Sequence, residues 1–558
     1  MIEHAAIASD TPPAAPSQAA TRGHLLLALL AMTLLVAFAY QGIERNSFHF
    51  DDWPNILDNA SLRMTHLSIG ALIDAARGAF LPLRPVPSIS FALDWWRGGG
   101  SDAAPFLVTN LVFHILTAWA VFALLLRVLA QDRPATLPTV LACSAAALWW
   151  ATQPIHVQAV SYVVQRMTEM AALFTVLCVW AYLKGSPASR ARRLWWALSA
   201  LSLALAALSK ENAWITPVLL LMAEFLVLRN DGKLVRSRRD TLLLLIPACA
   251  AIALLADLVF KGPVSQWALS GYATRSFTLA ERLLTQPKVV LFHLSQIAWP
   301  LPHRFSLEHE LGIVRSAASP DFWIPLVAIL AWCLAGIALA ARQGSRVAGY
   351  FVLWLPATLL IESSLIPLEM VFEHRMYLPS VGLAGLIALG LEHAARRGGI
   401  ALASAALVFV AATSLALWST SERIPQWRTD ASLYEQAVLR APRSARAWNH
   451  LGVANLAQHR GETVSRDRYL RALDAFDRAI ALDPKYAAPL TNRGVARYLQ
   501  GDIAGAQSDL EKAIAVSSRE AAAQHYLGEI YLQTGRFNEA RTARRRACAL
   551  GLSVDCNR

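Results

Sequence analysis

Charged residues are scarce in this sequence: Asp, Glu, Lys and Arg make up 16% of the 558 residues, whereas hydrophobic residues make up 55%. Soluble domains carry about 25% charged residues, so the composition excludes a large soluble enzyme. The chain also lacks a P-loop, a Gly-x-Gly-x-x-Gly motif and any zinc-type spacing of cysteine and histidine. These absences disfavour a soluble enzyme that uses a nucleotide sugar.

Two further features are missing. The first 23 residues contain no basic segment followed by an apolar stretch and a small-residue cleavage site, so the first apolar run is predicted to be a retained helix. A nucleic-acid-binding surface is not expected either, despite a formal net charge of +12. The basic residues cluster in short loops between apolar runs, which is the positive-inside pattern of membrane proteins.

Apolar runs dominate the chain as far as residue 418, and each is long enough, or nearly long enough, to cross a bilayer. We predict eleven spans, at 24–40, 105–129, 138–152, 167–183, 194–208, 213–228, 241–260, 321–341, 348–366, 376–392 and 400–418. The apolar stretch 287–301 is short and interrupted by polar residues and proline, which predicts a re-entrant or interfacial helix.

The basic residues fall in alternate loops, which predicts that those loops and the N-terminal tail, residues 1–23, are cytoplasmic. An odd number of spans then places the long loop 41–104 and the C-terminal region together on the outer side. Residues 24–418 are predicted to form one membrane domain. The loop has helical apolar spacing and several tryptophans, typical of helices that lie on the bilayer surface.

The C-terminal part is charged and alanine-rich and contains an internal repeat. After a predicted linker at 419–430, Gly494 and Gly528 are 34 residues apart, with small residues at matching offsets. An earlier copy around Gly452 carries a loop insertion. This period is typical of tetratricopeptide repeats, so residues 431–558 are predicted to form an α-solenoid with a peptide-binding groove.

Six cysteines fall into two groups. Four lie in predicted spans and are interpreted as small packing residues: Cys143, Cys178, Cys249 and Cys333. Cys548 and Cys556 flank a turn at the end of the last repeat, on the side predicted to be extracytoplasmic. A disulfide between them is one interpretation, and two free thiols in a frayed terminus is the other.

Two adjacent carboxylates, Asp51 and Asp52, follow the first predicted span. Carboxylates near lipid are costly and therefore indicate a function. This pair suits a divalent cation such as Mg²⁺ or Mn²⁺ beside a phosphate, or the acceptance of a proton from a hydroxyl. Both residues are therefore candidate catalytic groups and candidate metal ligands.

Other polar residues are predicted on the same outer face. Four cations are expected to converge there and to bind a lipid phosphate, namely Arg84, Arg166, Lys210 and Arg375. Candidate supporting residues are His156, Glu211, His309, Glu373, His374 and Tyr377. Each basic side chain alone could simply extend to the lipid headgroups, but that explanation fits the whole set less well.

Seven segments in this order resemble those of one protein family: Asp51-Asp52, the Arg84-Pro85 segment, QPIHVQAVSYVVQRM from Gln153, LSKENAWITP from Leu208, SLEHEL from Ser306, EHRMYLPSVG from Glu373 and IPQWRTDASLYEQAV from Ile424. The chain resembles the bacterial relatives of the transmembrane and tetratricopeptide repeat-containing O-mannosyltransferases, within the C-type superfamily of membrane glycosyltransferases. The resemblance runs from about residue 45 to the end. Gln153 departs from it, since the family often has histidine at that position.

The resemblance implies a fold and an activity. The fold is an all-α, polytopic bundle of transmembrane helices with an acidic motif in its first external loop, followed by the repeats. The implied reaction moves a sugar from a polyprenyl phosphate to a Ser or Thr hydroxyl of a protein, with Asp51 or Asp52 as the catalytic carboxylate. The repeats are expected to recruit the acceptor protein. The expected location is a bacterial inner membrane, with the repeats in the periplasm.

Alternative functions stay open at this point. An O-antigen-ligase-like glycan transferase can also carry tetratricopeptide repeats, but its main loop lies late in the chain. A non-enzymatic membrane scaffold needs no cavity lined by the two aspartates and the four cations. A transporter fits less well, because the polar groups are predicted near one leaflet rather than at the membrane midplane.

Overall fold

The computed structural model describes residues 19–79, 84–100, 102–131, 133–185, 189–228, 249, 253, 271–456, 464–552, 554 and 556. Within these ranges the chain is helical, and its β-structure is limited to one isolated bridge between Ala19 and Thr136. The predicted all-α class is therefore confirmed. The predicted span 241–260, apart from residues 249 and 253, lies outside the described residues, as do the basic loop before it and most of the N-terminal tail.

The described residues of the N-terminal body form fourteen α-helices, which are connected in several places by short 3-10 turns. They are α1 (Arg22–Ala39), α2 (Ile69–Arg77), α3 (Pro85–Gly98), α4 (Ala104–Ala130), α5 (Leu137–Ala151), α6 (Val157–Ser161), α7 (Arg166–Lys184), α8 (Arg192–Ala207), α9 (Thr216–Leu226), α10 (Leu279–Ala298), α11 (Pro320–Ala341), α12 (Arg346–Leu359), α13 (Ser380–Arg397) and α14 (Gly399–Arg423).

Five helical segments among the described residues are long and apolar enough to cross a membrane: Arg22–Arg45, Ala104–Ala130, Val163–Lys184, Pro320–Ala341 and Gly399–Trp427. The α7 segment is 78% buried inside the protein, whereas those of α11 and α14 are only 11% buried. Helix α7 is therefore central, and α11 and α14 present their apolar side chains outward, as lipid-facing helices do. The molecule is a membrane protein.

Several of the eleven predicted spans are shorter in the structure because proline and polar residues interrupt them. Helix α12 ends at Leu359, so the predicted span 348–366 gives way to a loop that carries Glu362. The span 376–392 begins as a 3-10 turn, and α13 starts only after Pro379. Most of the stretch 287–301, as far as Ala298, belongs to one longer helix, α10, whose start is fixed by a capping box between Thr278 and Glu281.

The described residues of the repeat region form seven helices: α15 (Asp430–Arg440), α16 (Ala445–Leu456), α17 (Arg466–Leu482), α18 (Ala487–Leu499), α19 (Ile503–Val516), α20 (Ala521–Gln533) and α21 (Phe537–Ala549). The repeated glycines allow the paired helices to approach closely. A Cβ atom on Gly452 would lie 2.4 Å from the ring of Phe476, and one on Gly494 would lie 2.8 Å from Leu510. Cys548, in the last turn of α21, forms a disulfide with Cys556 beyond that helix.

The segment 419–430, predicted to be a linker, is packed into the protein. Helix α14 continues to Arg423, a 3-10 turn runs from Ile424 to Trp427, and the Trp427 side chain is 1% exposed. One hydrophobic cluster extends from the membrane body through Leu433 to Ala475, whereas the later repeats have a separate cluster. The first repeat is therefore joined to the body by a continuous core.

Candidate functional site

The aspartate pair lies in a tight turn after α1. Phe50, the residue before Asp51, has a φ of 44°, which is a left-handed conformation that bulky residues rarely adopt. Its ring is held by contacts with Tyr162, Tyr434 and His450, at centroid distances of 6.1, 5.3 and 5.8 Å. Such strain costs about 1–3 kcal/mol and is typical of functional sites.

The two carboxylates of the pair have different surroundings. Asp52 is fully buried, and its two oxygens accept hydrogen bonds from the backbone N–H groups of His49 at 2.8 Å and Val164 at 2.7 Å. Asp52 thus ties the loop to the start of α7. Asp51 is exposed, and its backbone N–H donates to the Tyr162 hydroxyl at 2.9 Å. Only Asp51 has a carboxylate open to a ligand.

Burial raises the pKa of Asp52 to about 7, although the two backbone N–H groups oppose the shift. Because the folded-state pKa exceeds that of the unfolded chain, the stability contributed by the protonated group is lost as the pH rises from about 4 through about 7. We expect the wild type to lose several degrees of melting temperature over this interval relative to Asp52→Asn.

Thermal unfolding of the detergent-solubilised protein at a series of pH values measures this difference. Asp58→Asn, which changes an exposed carboxylate in the same loop, is the control and should follow the wild-type profile. Parallel profiles for Asp52→Asn and the wild type would contradict the expectation.

Asp51 faces a cavity of about 410 Å³, here called the central cavity. Its lining residues come from the aspartate loop, from several helix ends and from the first repeat. They are Phe50, Asp51, Arg84, Tyr162, Gln165, Lys210, Arg275, Leu307, Glu308, Glu362, Leu368, Glu369, Phe372, His374, Arg375, Arg446 and His450. The aspartate loop and the repeats therefore lie on the same side of the helical body.

Three of the four predicted cations line the central cavity. Arg84 forms a two-point contact with Glu211, with N–O distances of 3.1 and 2.7 Å. Burial opposes ionisation of Glu211, but the Arg84 guanidinium outweighs it and lowers the pKa of Glu211. Lys210 Nζ lies 2.8 Å from the Thr168 hydroxyl and 3.5 Å from a carboxylate oxygen of Glu362, and its burial lowers the pKa of Lys210.

Arg375 differs from these two cations. Its guanidinium donates to the Met370 carbonyl at 3.2 Å and lies 5.5 Å from the centre of the Phe372 ring. Among the described residues, no carboxylate lies within ion-pair distance of it. A buried guanidinium that no carboxylate contacts directly is well suited to bind an anion, because its donors are not taken up by an ion pair.

Arg166 does not reach the central cavity, so its predicted place beside the other cations is wrong. It is fully buried, and its guanidinium lies 2.6 Å from Asp94 and 2.7 Å from the Asn110 side chain. It also donates to the Phe106 carbonyl at 2.7 Å. These contacts lock α7 to α3 and α4, because a buried guanidinium must satisfy its donors within the protein.

Glu373 and His309 lie behind the cavity wall rather than on it. Glu373 Oε1 accepts hydrogen bonds from the Ser306 backbone N–H at 2.9 Å and from His309 at 3.0 Å. Its other oxygen lies 2.8 Å from Arg423, which also donates to the Pro154 carbonyl. Burial opposes ionisation, but Arg423 and His309 outweigh it and lower the pKa of Glu373.

The other supporting residues occupy two places. His374 lines the cavity, and its backbone N–H donates to Gln158 at 2.9 Å. His156 and Tyr377 lie in a buried aromatic cluster, with ring centroids 4.8 Å apart. The Tyr377 hydroxyl also forms a hydrogen bond with His114 at 2.7 Å. His156 and Tyr377 therefore pack within the interior of the helical body. The structure does not place His156 or Tyr377 at the cavity.

The first repeat supplies cavity residues that the sequence did not indicate. Arg446, on α16, lies 2.8 Å from Glu308 and 3.0 Å from Glu369. His450, one turn later, stacks on Tyr434 with centroids 5.0 Å apart. No motif connects these residues with the aspartate loop, because the contact depends on how the repeat packs against the body. The four-residue spacing of Arg446 and His450, which places both on one face of a helix, is the signal that the sequence offered.

The predicted metal pair is not formed. Both oxygens of Asp52 are occupied by backbone N–H groups, and Asp51 is alone in facing the cavity. The described part of the chain contains no group of three or more His, Cys, Asp or Glu side chains that could hold a metal. Asp51 and Asp52 therefore do not fit a jointly held Mg²⁺ or Mn²⁺ ion.

The fold and the site define an all-α membrane protein whose tetratricopeptide tail borders a cavity lined by cations and carboxylates, Asp51 among them. Tetratricopeptide repeat models match residues 430–487 and 497–544. "Protein O-mannosyl-transferase TMTC4" from Homo sapiens is 25% identical over 487 residues, which cover 77% of this chain and 64% of that protein. The chain is thus a relative of the transmembrane and tetratricopeptide proteins, and the resemblance predicted from its motifs is confirmed.

Two other comparisons cover smaller parts of this chain. "Tetratricopeptide repeat protein 36" from Homo sapiens is 43% identical over 84 residues, or 14% of this chain and 44% of that protein. The crystal structure of the Archaeoglobus fulgidus oligosaccharyltransferase with a tethered acceptor peptide covers 72% of this chain and 55% of that one, at 12% identity and a TM-score of 0.42. That score is too low to establish a shared fold. The chain spans 64% of the length of the curated O-mannosyl-transferase relatives it matches.

Proposed function

We propose that this protein is a membrane glycosyltransferase that moves a sugar from a polyprenyl phosphate to a Ser or Thr hydroxyl of an extracytoplasmic protein. The observation that carries the proposal is the central cavity, in which Asp51 lies with Arg84, Lys210 and Arg375. A scaffold that only recruits proteins has no need for a cavity lined by four carboxylates and five Arg or Lys side chains, with Asp51 and three predicted cations among them. The relatives named as O-mannosyl-transferases support the same reaction class.

In the proposed mechanism, the donor phosphate binds at Arg375, with Lys210 and Arg84 beside it. These cations stabilise the negative charge that develops on the phosphate as the glycosidic bond breaks. Asp51 accepts the proton of the acceptor hydroxyl while the hydroxyl oxygen attacks the anomeric carbon from the opposite side. A single displacement of this kind inverts the configuration at that carbon.

Asp52 has a positioning role in this proposal. Its bonds to the backbone of His49 and Val164 hold the strained turn that presents Asp51. We derive no step through a divalent cation, because the two aspartates do not present their oxygens to one point. The repeats would bring the acceptor protein to the cavity, and the proposed setting is a bacterial inner membrane with this face toward the periplasm.

The proposal is tested by mass spectrometry of envelope proteins from cells with and without the gene. Loss of hexose-type masses from Ser or Thr residues is the expected result. In parallel, the purified protein in vesicles should transfer sugar from polyprenyl-phosphate hexose to a Ser/Thr peptide. Unchanged glycosylation in cells together with no transfer in vesicles would overturn the proposal.

A further inference from the structure

Part of the wall of the central cavity is aromatic, and the first repeat contributes to it. Phe50 and Tyr162 come from the membrane body, and His450 comes from α16. The Phe50 ring contacts both of the others edge-on, at 6.1 Å to Tyr162 and 5.8 Å to His450. The three rings therefore form one continuous surface beside Asp51.

This surface is held rigidly from behind. The His450 ring stacks on Tyr434 at an interplanar angle of 12°, and Tyr434 also contacts Phe50. Nearby, His49 bonds to Asp430 at 2.6 Å, and its other ring nitrogen bonds to the Trp427 carbonyl at 2.8 Å. The first two helices of the repeat, α15 and α16, are therefore fixed to the aspartate loop by direct contacts.

Polar groups edge the same surface. Arg446 bridges Glu308 and Glu369, so a row of carboxylate and guanidinium groups borders the aromatic rings. Burial lowers the pKa of His450 to about 4, with Arg446 adding to the effect, so the ring is neutral near pH 7. A neutral aromatic surface edged by charged hydrogen-bonding groups matches a sugar ring, which has apolar C–H faces and a rim of hydroxyls.

We propose that the first tetratricopeptide repeat forms part of the donor-sugar subsite, with the sugar packing against the rings of Phe50 and His450, which are inclined at 75°, and its hydroxyls meeting Arg446, Glu308 and Glu369. The inference rests on the proposed function. In a single displacement the sugar must lie between the phosphate and the attacking hydroxyl, that is, between the cations and Asp51. The aromatic rings line the same cavity as Asp51 and the cations, so a sugar held between these groups reaches the rings.

The test measures binding of two lipids to the full-length protein in detergent: polyprenyl phosphate without sugar and polyprenyl-phosphate hexose. His450→Ala should weaken binding of the sugar-bearing lipid by about 2- to 10-fold, the range expected for loss of one aromatic contact. It should leave binding of the sugar-free lipid unchanged. His450→Phe keeps an aromatic ring and should restore most of the affinity.

Tyr526→Ala is the matched control. Tyr526 lies two residues before Gly528, as His450 lies two residues before Gly452, but it packs within the later repeats against Tyr498. This variant should bind both lipids like the wild type. Equal affinities of His450→Ala and the wild type for the sugar-bearing lipid would overturn the subsite, as would equal weakening for both lipids.

The two proposals fail in different ways. If the wild type binds neither lipid, the proposed function is wrong. If the wild type binds the sugar-bearing lipid and His450→Ala instead raises only the KM for the acceptor peptide, the aromatic surface belongs to the acceptor, and only the subsite inference fails.

Discussion

Asp51→Asn is expected to lower the rate of sugar transfer by about 10²- to 10⁴-fold, the range typical for loss of a general base. Asp51 is the member of the aspartate pair that faces the central cavity, and the 2.9 Å hydrogen bond that ties it to Tyr162 is made by its backbone N–H, which the substitution keeps. The variant should therefore fold normally. Single-turnover transfer from polyprenyl-phosphate hexose to a Ser/Thr peptide, with the protein in vesicles, measures the chemical step directly.

The control for this experiment is Asp58→Asn, an exposed carboxylate seven residues later in the same loop. It should transfer at the wild-type rate. Asp52→Asn is expected to fall between the two, because it disturbs the turn without removing the base. A normal single-turnover rate for Asp51→Asn would contradict the assignment of the base.

Arg423→Met should destabilise the protein by about 3–5 kcal/mol, the usual cost of removing one partner from a buried ion pair. Glu373 is fully buried and would lose the guanidinium that lies 2.8 Å from one of its oxygens. The Pro154 carbonyl would lose its donor as well. Because this pair joins α14 to the turn before α13, unfolding monitored in mixed micelles should begin at a clearly lower denaturant concentration.

A double variant separates the ion pair from packing. In Arg423→Met/Glu373→Gln no charge is left without a partner, so part of the lost stability should return. Arg428→Met, which changes an arginine just beyond the same helix that pairs with no described carboxylate, should be near neutral. Equal stability of Arg423→Met and Arg428→Met would rule out the buried pair as a structural element.

The candidate site was partly predictable. Asp51, Arg84, Lys210 and Arg375 stand out in the sequence because charged residues beside apolar runs are rare, and the structure brings these four to one cavity. Arg166 stands out for the same reason but satisfies a buried Asp94 instead. The sequence does not distinguish a cation that lines the cavity from one that pairs with a buried carboxylate, since both are charged side chains at a helix end. The partner that neutralises it is known only after packing.

The roles of the two adjacent aspartates could not be separated by sequence either. Neighbouring residues in a turn point in different directions, and the direction depends on backbone angles such as the positive φ of Phe50. In the structure one carboxylate is bound by backbone N–H groups and the other faces the cavity. Packing also could not be predicted for residues 419–430. Their polar composition suggested a linker, but Trp427 in this segment is buried.

The sequence alone determined that this is an all-α membrane protein with a tetratricopeptide tail, because hydrophobic run length and a 34-residue period are local properties of the chain. It also determined that the acidic loop is a place of chemical interest. Only the tertiary structure decided which charged groups share a cavity and that the first repeat forms one of its walls. Contacts such as that between Phe50 and His450 join residues 400 positions apart, and such contacts follow from packing rather than from any pattern along the chain.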